Sequence, residues 1–278
     1  MSMSRIEVRK VSFDLDRGAG GLWNAARPEL SHTLNAFQLA LPYLEPYFID
    51  AIKHGCESVE DPALKADALA FCAQEANHSR QHKRYCTLLR KKYPRLQEFE
   101  SDIQQSLVQS RQSDSLEWRL AYTAGYEQIT AQLSRWMFKN AKSWFEDADP
   151  YFADLMLWHA AEELEHRHVA FDVFKAVSTN YRLRARGMFG ALQKTYADMA
   201  PVVTYMLEVD GYAGRFDSRI RRLRVRADCM AELVPAFARY LTPGYNPSHD
   251  DEPPELAEWR RAYDGKSASA ANADATPS

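Results

Sequence analysis

The sequence has few cysteines and no long apolar run. Its 278 residues include four cysteines without CxxC spacing: Cys56, Cys72, Cys86 and Cys229. They are predicted to be free thiols in a reducing cytoplasm, which excludes a disulfide framework and a thiolate metal site. No window reaches the roughly 18 uninterrupted apolar residues of a membrane-spanning helix. The N-terminus, MSMSRIEVRK, lacks the apolar segment of a secretory leader.

The chain also lacks a large excess of positive or negative charge. Lys and Arg total 35 and Asp and Glu total 38, a formal net charge of -3. A chain this close to neutral has no overall field for nucleic acid, so nucleic acid is not an expected partner. Aromatic side chains are plentiful, at 12% of the residues, and the chain is long enough to bury a large core.

Composition divides the chain into three regions. Residues 1–27 are predicted to be an arm and a loop, because 5–16 alternate apolar and polar side chains and glycines follow. Residues 28–245 are predicted to be an all-α domain. Residues 246–278 are polar and predicted to be a disordered tail, most clearly from 265 onward. Helices are expected over about 31–53, 62–92, 95–112, 116–144, 151–178, 183–208 and 217–241.

Histidine and glutamate are concentrated in residues 158–171, WHAAEELEHRHVAF. His159, Glu163 and His166 are spaced i, i+4, i+7, so they lie on one face of a helix. Two imidazoles and a carboxylate on one line can bind a transition metal. Taken alone, the stretch is more typical of a solvated charged helix. Glu165 projects away from this face and is predicted to be a surface or packing residue.

Two other predicted helices each carry a lone glutamate in an apolar stretch. One is Glu45, between Pro42 and Pro46, which either kink its helix or split it in two. The other is Glu127, in the middle of the helix over 116–144. A carboxylate is costly to bury unless it is paired or bound to a metal. The alternative for Glu45 is a solvent-facing position at a helix break.

Glu75 and His78 form a Glu-x-x-His pair on the helix over 62–92, and Glu163 and His166 form a second. Along the chain the order is Glu, Glu-x-x-His, Glu, Glu-x-x-His. This is the ligand pattern of di-iron and di-manganese carboxylate sites in four-helix bundles. Four carboxylates can neutralise two divalent cations, so the sequence predicts two such ions, with iron preferred and manganese as the alternative.

The same segments resemble the ferritin-like superfamily and, within it, a bacterial family described as predicted metal-dependent hydrolases. The resemblance covers most of residues 5–180, through LSHTLNAFQLALPYLEPYF, FCAQEANHSRQHKRY, AYTAGYEQITAQL and LWHAAEELEHRHVAFDVF. It implies a ferritin-like four-helix bundle with additional C-terminal helices and a short N-terminal extended arm. The His-x-x-x-Glu-x-x-His arrangement is also similar to that of the di-iron arylamine N-oxygenases, which have an extra histidine.

Carried over to this chain, the resemblance implies seven metal ligands: Glu45, Glu75, His78, Glu127, His159, Glu163 and His166. His82 faces the same site and competes with His159, the preferred residue, as the extra ligand. Gln74 and Glu162 precede the two motif glutamates. In ferritin-like sites that position often orients a ligand histidine across the bundle, and we expect the same here.

Two functions are open to such a site. In the first, two iron ions activate O2 to oxidise a small, largely apolar substrate, and an external partner donates electrons. Thr123 and Thr130, on the face of Glu127, are then candidates to hydrogen-bond the oxygen, although such hydroxyls commonly bond the helix backbone.

In the second function, a metal-activated water hydrolyses an ester, amide or phosphate. Bundle sites of this composition serve O2 chemistry more often, so oxidation is the main prediction and hydrolysis the alternative. Metal storage or a structural metal site is less favoured. A small-molecule substrate is expected in either case, and a homodimer is one assembly open to the chain.

Overall fold

The computed structural model describes residues 6–18 and 20–274. Over this range the chain is all-helical, without a strand, as predicted. None of the described helices is long and apolar enough to cross a bilayer. The α-helices are α1 (Pro28–Gly55), α2 (Pro62–Lys92), α3 (Leu96–Ser113), α4 (Leu116–Phe145), α5 (Pro150–His166), α6 (Val169–Val177), α7 (Tyr181–Val209), α8 (Phe216–Tyr240) and α9 (Pro254–Asp274).

Short polar side chains begin several helices. They accept hydrogen bonds from first-turn backbone N–H groups, which have no partner within the helix. These caps are Asp61 for α2, Ser115 for α4, Asp149 for α5 and Asn180 for α7. Pro62 and Pro150 follow two of the caps, at the first helical position, where the missing N–H of proline costs nothing.

Five helices surround a common interior. α1 packs on α2 and α4, α4 packs on α5 and α6, and α5 and α6 lie against α2. α1 and α2 are antiparallel, because positions 38 and 42 of α1 meet positions 86 and 79 of α2. α7 and α8 cover α1 and α4 from outside. This is a helical bundle with additional C-terminal helices, and its place in the ferritin-like superfamily stays a prediction.

α1 is one continuous helix despite Pro42 and Pro46. Each proline lacks an N–H and so frees the carbonyl four residues earlier, which would normally weaken the helix. Both freed carbonyls accept hydrogen bonds from α2 instead. The thiol of Cys86 donates to the Gln38 carbonyl at 3.5 Å, and the Ser79 hydroxyl donates to the Pro42 carbonyl at 3.2 Å. Of the two predicted alternatives, a kink or a split, the split is therefore excluded, and Glu45 is held on a helix rather than at an exposed break.

The single helix predicted over 151–178 is also wrong. α5 ends at His166, and α6 is a separate helix. Arg167, in the break, donates to the backbone carbonyl of Leu164 in the last turn of α5 and to that of Asp250 at 3.0 Å. These bonds compensate for backbone pairing lost at the helix end and tie it to the C-terminal segment.

Residues 6–14 form an extended arm along α2, without helix or strand. Side chains of α2 donate hydrogen bonds to alternate carbonyls of the arm: Gln74 to Glu7 at 2.8 Å, Asn77 to Arg9 at 3.4 Å, Gln81 to Val11 at 3.3 Å and Arg84 to Phe13 at 3.1 Å. The donors recur every three or four residues and the acceptors every second residue, as expected for a helix face and an extended chain. The predicted extended arm is thus present, fastened to α2.

The composition predicts a disordered tail over residues 246–278, but the structure has α9 over Pro254–Asp274. Leu256 is fully buried, and the Trp259 ring stacks on the Tyr263 ring with centroids 4.9 Å apart. These few large apolar side chains hold the start of the helix on the body. Residues 275–278 of the predicted tail lie outside the described residues.

Candidate metal centre

Seven carboxylate and imidazole side chains meet inside the bundle. α1 and α4 supply one each, α2 supplies two and α5 three: Glu45, Glu127, Glu75, His78, His159, Glu163 and His166. Each is buried, with at most 3% of its surface exposed. The structure therefore brings together all seven side chains predicted as ligands, and their binding of metal stays a prediction.

The seven side chains form three overlapping groups. Within each group the candidate ligand atoms lie within 4.8 Å of one another: Glu45, His78 and His159; Glu75, His78 and Glu163; Glu75, Glu127 and His166. Oε1 of Glu75 lies 3.3 Å from Nδ1 of His78 and 3.3 Å from Nε2 of His166. Nε2 of His166 is also 3.2 Å from Oε2 of Glu127. Glu75 thus stands between the two histidines of the Glu-x-x-His pairs.

So many buried carboxylates perturb one another. Burial and the neighbouring Glu75 raise the pKa of Glu45 well above its usual value. Burial and Glu163 raise the pKa of Glu127 to about 8. Burial also acts against ionisation of Glu163, but its histidine neighbours, His166 first, hold its pKa well below the usual range. The cluster therefore has more carboxylates than its histidines can neutralise.

The unpaired oxygens of the cluster fit a divalent cation. Within the described residues, both oxygens of Glu45 and one oxygen each of Glu75, Glu127 and Glu163 make no hydrogen bond. Leaving a buried polar group without a partner costs about 1–3 kcal/mol, and more if it is charged. Two divalent ions would give these oxygens partners and neutralise four carboxylates. Imidazole and carboxylate donors without a cysteine suit iron or manganese.

His82 lies beside the cluster but belongs to none of the three groups. Its ring is fully buried, with Nε2 3.7 Å from Oε1 of Glu45 and its centroid 4.5 Å from that of His159. Burial and His159 lower the pKa of His82 well below its usual value, so the ring is neutral. His159 is more closely engaged, since its Nε2 lies 2.9 Å from Oε1 of Glu163. The geometry is consistent with the preference for His159 as the extra ligand. His82 lies close enough to the cluster to remain the alternative.

Gln74 and Glu162 each contact a histidine across the bundle, as the resemblance implies. Oε2 of Glu162 on α5 lies 3.0 Å from Nε2 of His78 on α2. Oε1 of Gln74 on α2 lies 2.9 Å from Nδ1 of His166 on α5. Burial alone would lower the pKa of His78, but its carboxylate neighbours, Glu162 first, raise it well above the usual value. In each histidine, the second nitrogen faces the cluster.

The two predicted threonines are in different situations. The Thr130 hydroxyl donates to the backbone carbonyl of Glu127 at 2.9 Å, so it bonds the helix rather than facing a substrate. The Thr123 hydroxyl is fully buried and has no hydrogen-bond partner in the part of the chain that the structure describes. Thr123 is therefore the better candidate of the two.

Sequence reasoning misses Arg9, which lies at the outer side of the cluster. Its guanidinium contacts Glu162 at 3.3 Å and Glu165 at 2.7 Å. Glu165, expected at the surface or in packing, is instead part of a partly buried ion pair. The sequence of the arm contains a signal that could have found Arg9. In an extended chain, alternate residues point to the same side, so Arg9 lies on the side of the apolar Val11 and Phe13, which is expected to face the protein.

A protein-family model described as a predicted metal-dependent hydrolase matches residues 7–251. The chain belongs to this family. The matched range contains the whole cluster and most of the arm, and it ends before α9. Searches of curated proteins and of solved structures found no match.

Membership of this family of predicted metal-dependent hydrolases agrees with the candidate metal-binding groups of the bundle. The family description supports hydrolysis, the alternative function of the sequence analysis, better than O2-dependent oxidation, its main prediction.

Proposed function

We propose that this chain is a two-metal hydrolase that cleaves an ester, amide or phosphate bond of a small molecule. The observation that carries the proposal is the position of Glu75, whose Oε1 lies 3.3 Å from a ring nitrogen of both His78 and His166. Glu75, His78 and His166 would together hold divalent ions at this position. When bound, such ions would lower the pKa of a water so that it acts as a nucleophile at neutral pH.

The chain's own residues would keep the site dry and handle protons. The Trp158 ring stands edge-on to His78 at 4.9 Å, and the Phe71 ring stands edge-on to His166 at 4.7 Å. These aromatic walls exclude bulk water, which strengthens the electrostatic interactions inside. Both oxygens of Glu45 lack a hydrogen-bond partner within the described residues, so its carboxylate could hold an ion or accept a proton from the attacking water.

A second candidate is oxidation of a small apolar substrate by O2, with iron in the same site and electrons from an external donor. The order Glu, Glu-x-x-His, Glu, Glu-x-x-His on four helices favours it, because di-iron carboxylate proteins use that order. We rank it second because the family description names hydrolysis.

The metal content of the isolated protein tests the centre itself. We expect two iron or manganese ions per chain by elemental analysis, and a loss of at least one in Glu75→Ala and in Glu163→Ala. The matched control is Glu57→Ala, since Glu57 is exposed outside the bundle. Retention of two ions by both cluster variants would refute the ligand set.

The choice between the two chemistries needs a second experiment. We expect the manganese or zinc form to hydrolyse model p-nitrophenyl esters or phosphates, with activity lost in Glu75→Ala. The ferrous form, prepared without oxygen and then mixed with O2, should develop no transient visible absorption band. Such a band, together with no hydrolysis under any metal, would reverse the ranking in favour of oxidation.

A further inference from the structure

Arg9 is an unusual residue for an N-terminal arm, because its side chain is buried among acidic groups. Only 8% of its surface is exposed. The guanidinium makes two hydrogen bonds to Glu165, at 2.7 and 2.8 Å, and one to Oε1 of Glu162 at 3.3 Å. On its other side it lies 5.9 Å from the Trp259 ring centroid and 5.8 Å from that of Tyr263. Such cation–π contacts and paired carboxylates fix the position of a guanidinium.

Glu162 connects this arginine to the candidate metal centre. The carboxylate is fully buried and uses each oxygen once: Oε1 accepts from Arg9, and Oε2 lies 3.0 Å from Nε2 of His78. With Nε2 engaged, Nδ1 of His78 is the nitrogen that faces Glu75 and Glu163. The contacts of Arg9 therefore set the plane of the carboxylate, and the carboxylate sets the ring of His78.

A similar series of contacts connects the arm to His166, the histidine of the second Glu-x-x-His pair. The Gln74 side-chain amide donates to the Glu7 carbonyl of the arm at 2.8 Å and to Oε2 of Glu165 at 3.3 Å. Its oxygen lies 2.9 Å from Nδ1 of His166. A single side chain, Glu162 or Gln74, thus lies between the arm and each of the two histidines. Glu165, which is bonded to Arg9, also contacts Gln74.

We propose that Arg9 is a positioning residue for the metal centre, acting through Glu162 on the ligand histidine His78. The inference rests on the proposed metal-dependent function and extends it to the arm. The need to hold the arm on α2 does not by itself explain why the Arg9 side chain is buried against Glu162. Gln81 and Arg84 already donate hydrogen bonds to the arm's carbonyls, Ile6 is buried at the start of the arm, and Leu15 is buried directly after its end.

Cobalt(II) provides a test, because its visible bands report the ligands and their geometry without any need for activity. The variants are Arg9→Met, Arg9→Lys and Glu162→Gln, titrated with Co²⁺ beside the unaltered chain. The matched control is Arg260→Met, since Arg260 forms its ion pairs with Glu165 and Glu252 and, among the described residues, not with Glu162. Circular dichroism and thermal unfolding check that each variant is folded.

We expect the unaltered chain and Arg260→Met to bind two Co²⁺ with the same spectrum. Arg9→Met should bind Co²⁺ about 10- to 100-fold more weakly at one position, with shifted bands, as outer-shell changes do elsewhere. Arg9→Lys, which keeps the charge, should recover part of the affinity. Glu162→Gln keeps Arg9 and the arm, so it should give the same change in the bands even if Arg9→Met fails to fold.

Each contrary result has a definite meaning. If Arg9→Met and Glu162→Gln both bind Co²⁺ like the unaltered chain, the role of Arg9 is overturned and the metal centre stands. If Arg260→Met loses affinity as much as Arg9→Met, the effect is general to the acidic cluster and the specific role of Arg9 is overturned. If the unaltered chain binds no Co²⁺ at all, both the centre and the role of Arg9 are overturned.

Discussion

Thr123 and Thr130 lie one turn on either side of Glu127, and a change to valine should affect them differently. Thr123→Val removes a buried hydroxyl that has no partner within the described residues, so the free energy of unfolding of the metal-free chain should stay the same or rise by up to about 1 kcal/mol. Thr130→Val removes a hydrogen bond to a carbonyl and should lower it by about 0.5 to 1 kcal/mol. Urea denaturation measures both, and a larger loss in Thr123→Val would contradict the assignment.

His32 makes the stability of the fold depend on pH. Burial lowers its pKa to about 4, although Asp210 lies 3.1 Å away and acts in the opposite direction, while Lys92 adds to the lowering. In the unfolded chain its pKa is near 6.5. The unfolded state therefore binds the extra proton first, and the stabilisation present above pH 6.5 is lost as the pH falls towards 4.

The test compares the unaltered chain with His32→Asn. Between pH 7 and pH 4.5 the unaltered chain should lose about 2 to 3 kcal/mol more of its free energy of unfolding than the variant. Urea denaturation at the two pH values gives the difference. Equal losses in both proteins would show that His32 does not titrate as described.

For single residues, the sequence predicts most of the candidate metal centre. The spacing of Glu75 and His78, and of His159, Glu163 and His166, fixes their common faces, because helix geometry is local. Arg9 could not be found in the same way. Its partner Glu162 is 153 positions away, so the contact exists only after the arm has docked.

Among the elements, α4 and α7 depend on a close approach between their backbones. A Cβ on Gly187 would collide with the backbone of Ala121, whereas a Cβ on Gly190 would lie 3.3 Å from the edge of the Trp118 ring. Backbone cannot yield as a side chain can. We expect Gly187→Ala to lower the free energy of unfolding by about 1 to 3 kcal/mol.

Gly190→Ala is the matched control on the same helix. It should be neutral or stabilise by up to about 1 kcal/mol, because alanine favours a helix over glycine and the Trp118 ring can shift. Thermal or urea unfolding of the two variants measures the contrast. A stabilised Gly187→Ala would mean that the two helices do not touch there.

Element boundaries were predictable where capping is local and not where tertiary contacts decide. Asp61 with Pro62 marks the start of α2 correctly, because the cap and the proline act within one turn. The continuity of α1 depends on donors from α2, Ser79 and Cys86, which no local pattern in α1 contains. The end of α5 at His166 depends likewise on Arg167 and its distant partners.

For the whole molecule, we expect bound metal ions to contribute a large part of the free energy of unfolding. A ligand that binds only the folded chain adds about 2.7 kcal/mol when present at 100 times its Kd. For a chain of this size we expect the melting temperature to rise by about 5 °C or more when Fe²⁺ or Mn²⁺ is added to chelated protein. Scanning calorimetry measures the rise, and Glu75→Ala should show much less of it. An equal rise in both proteins would place the ions elsewhere.

The contact of Arg9 with α5 and α9 gives the folding of this chain an order in time. The arm is separated from Glu162 and Trp259 by a long stretch of chain. Closing such a distance is slower than forming the helices, whose contacts are local. The helices that carry the candidate ligands can therefore collapse while the arm is still loose. The candidate centre would reach its final rigidity only when the arm and α9 have both docked beside it.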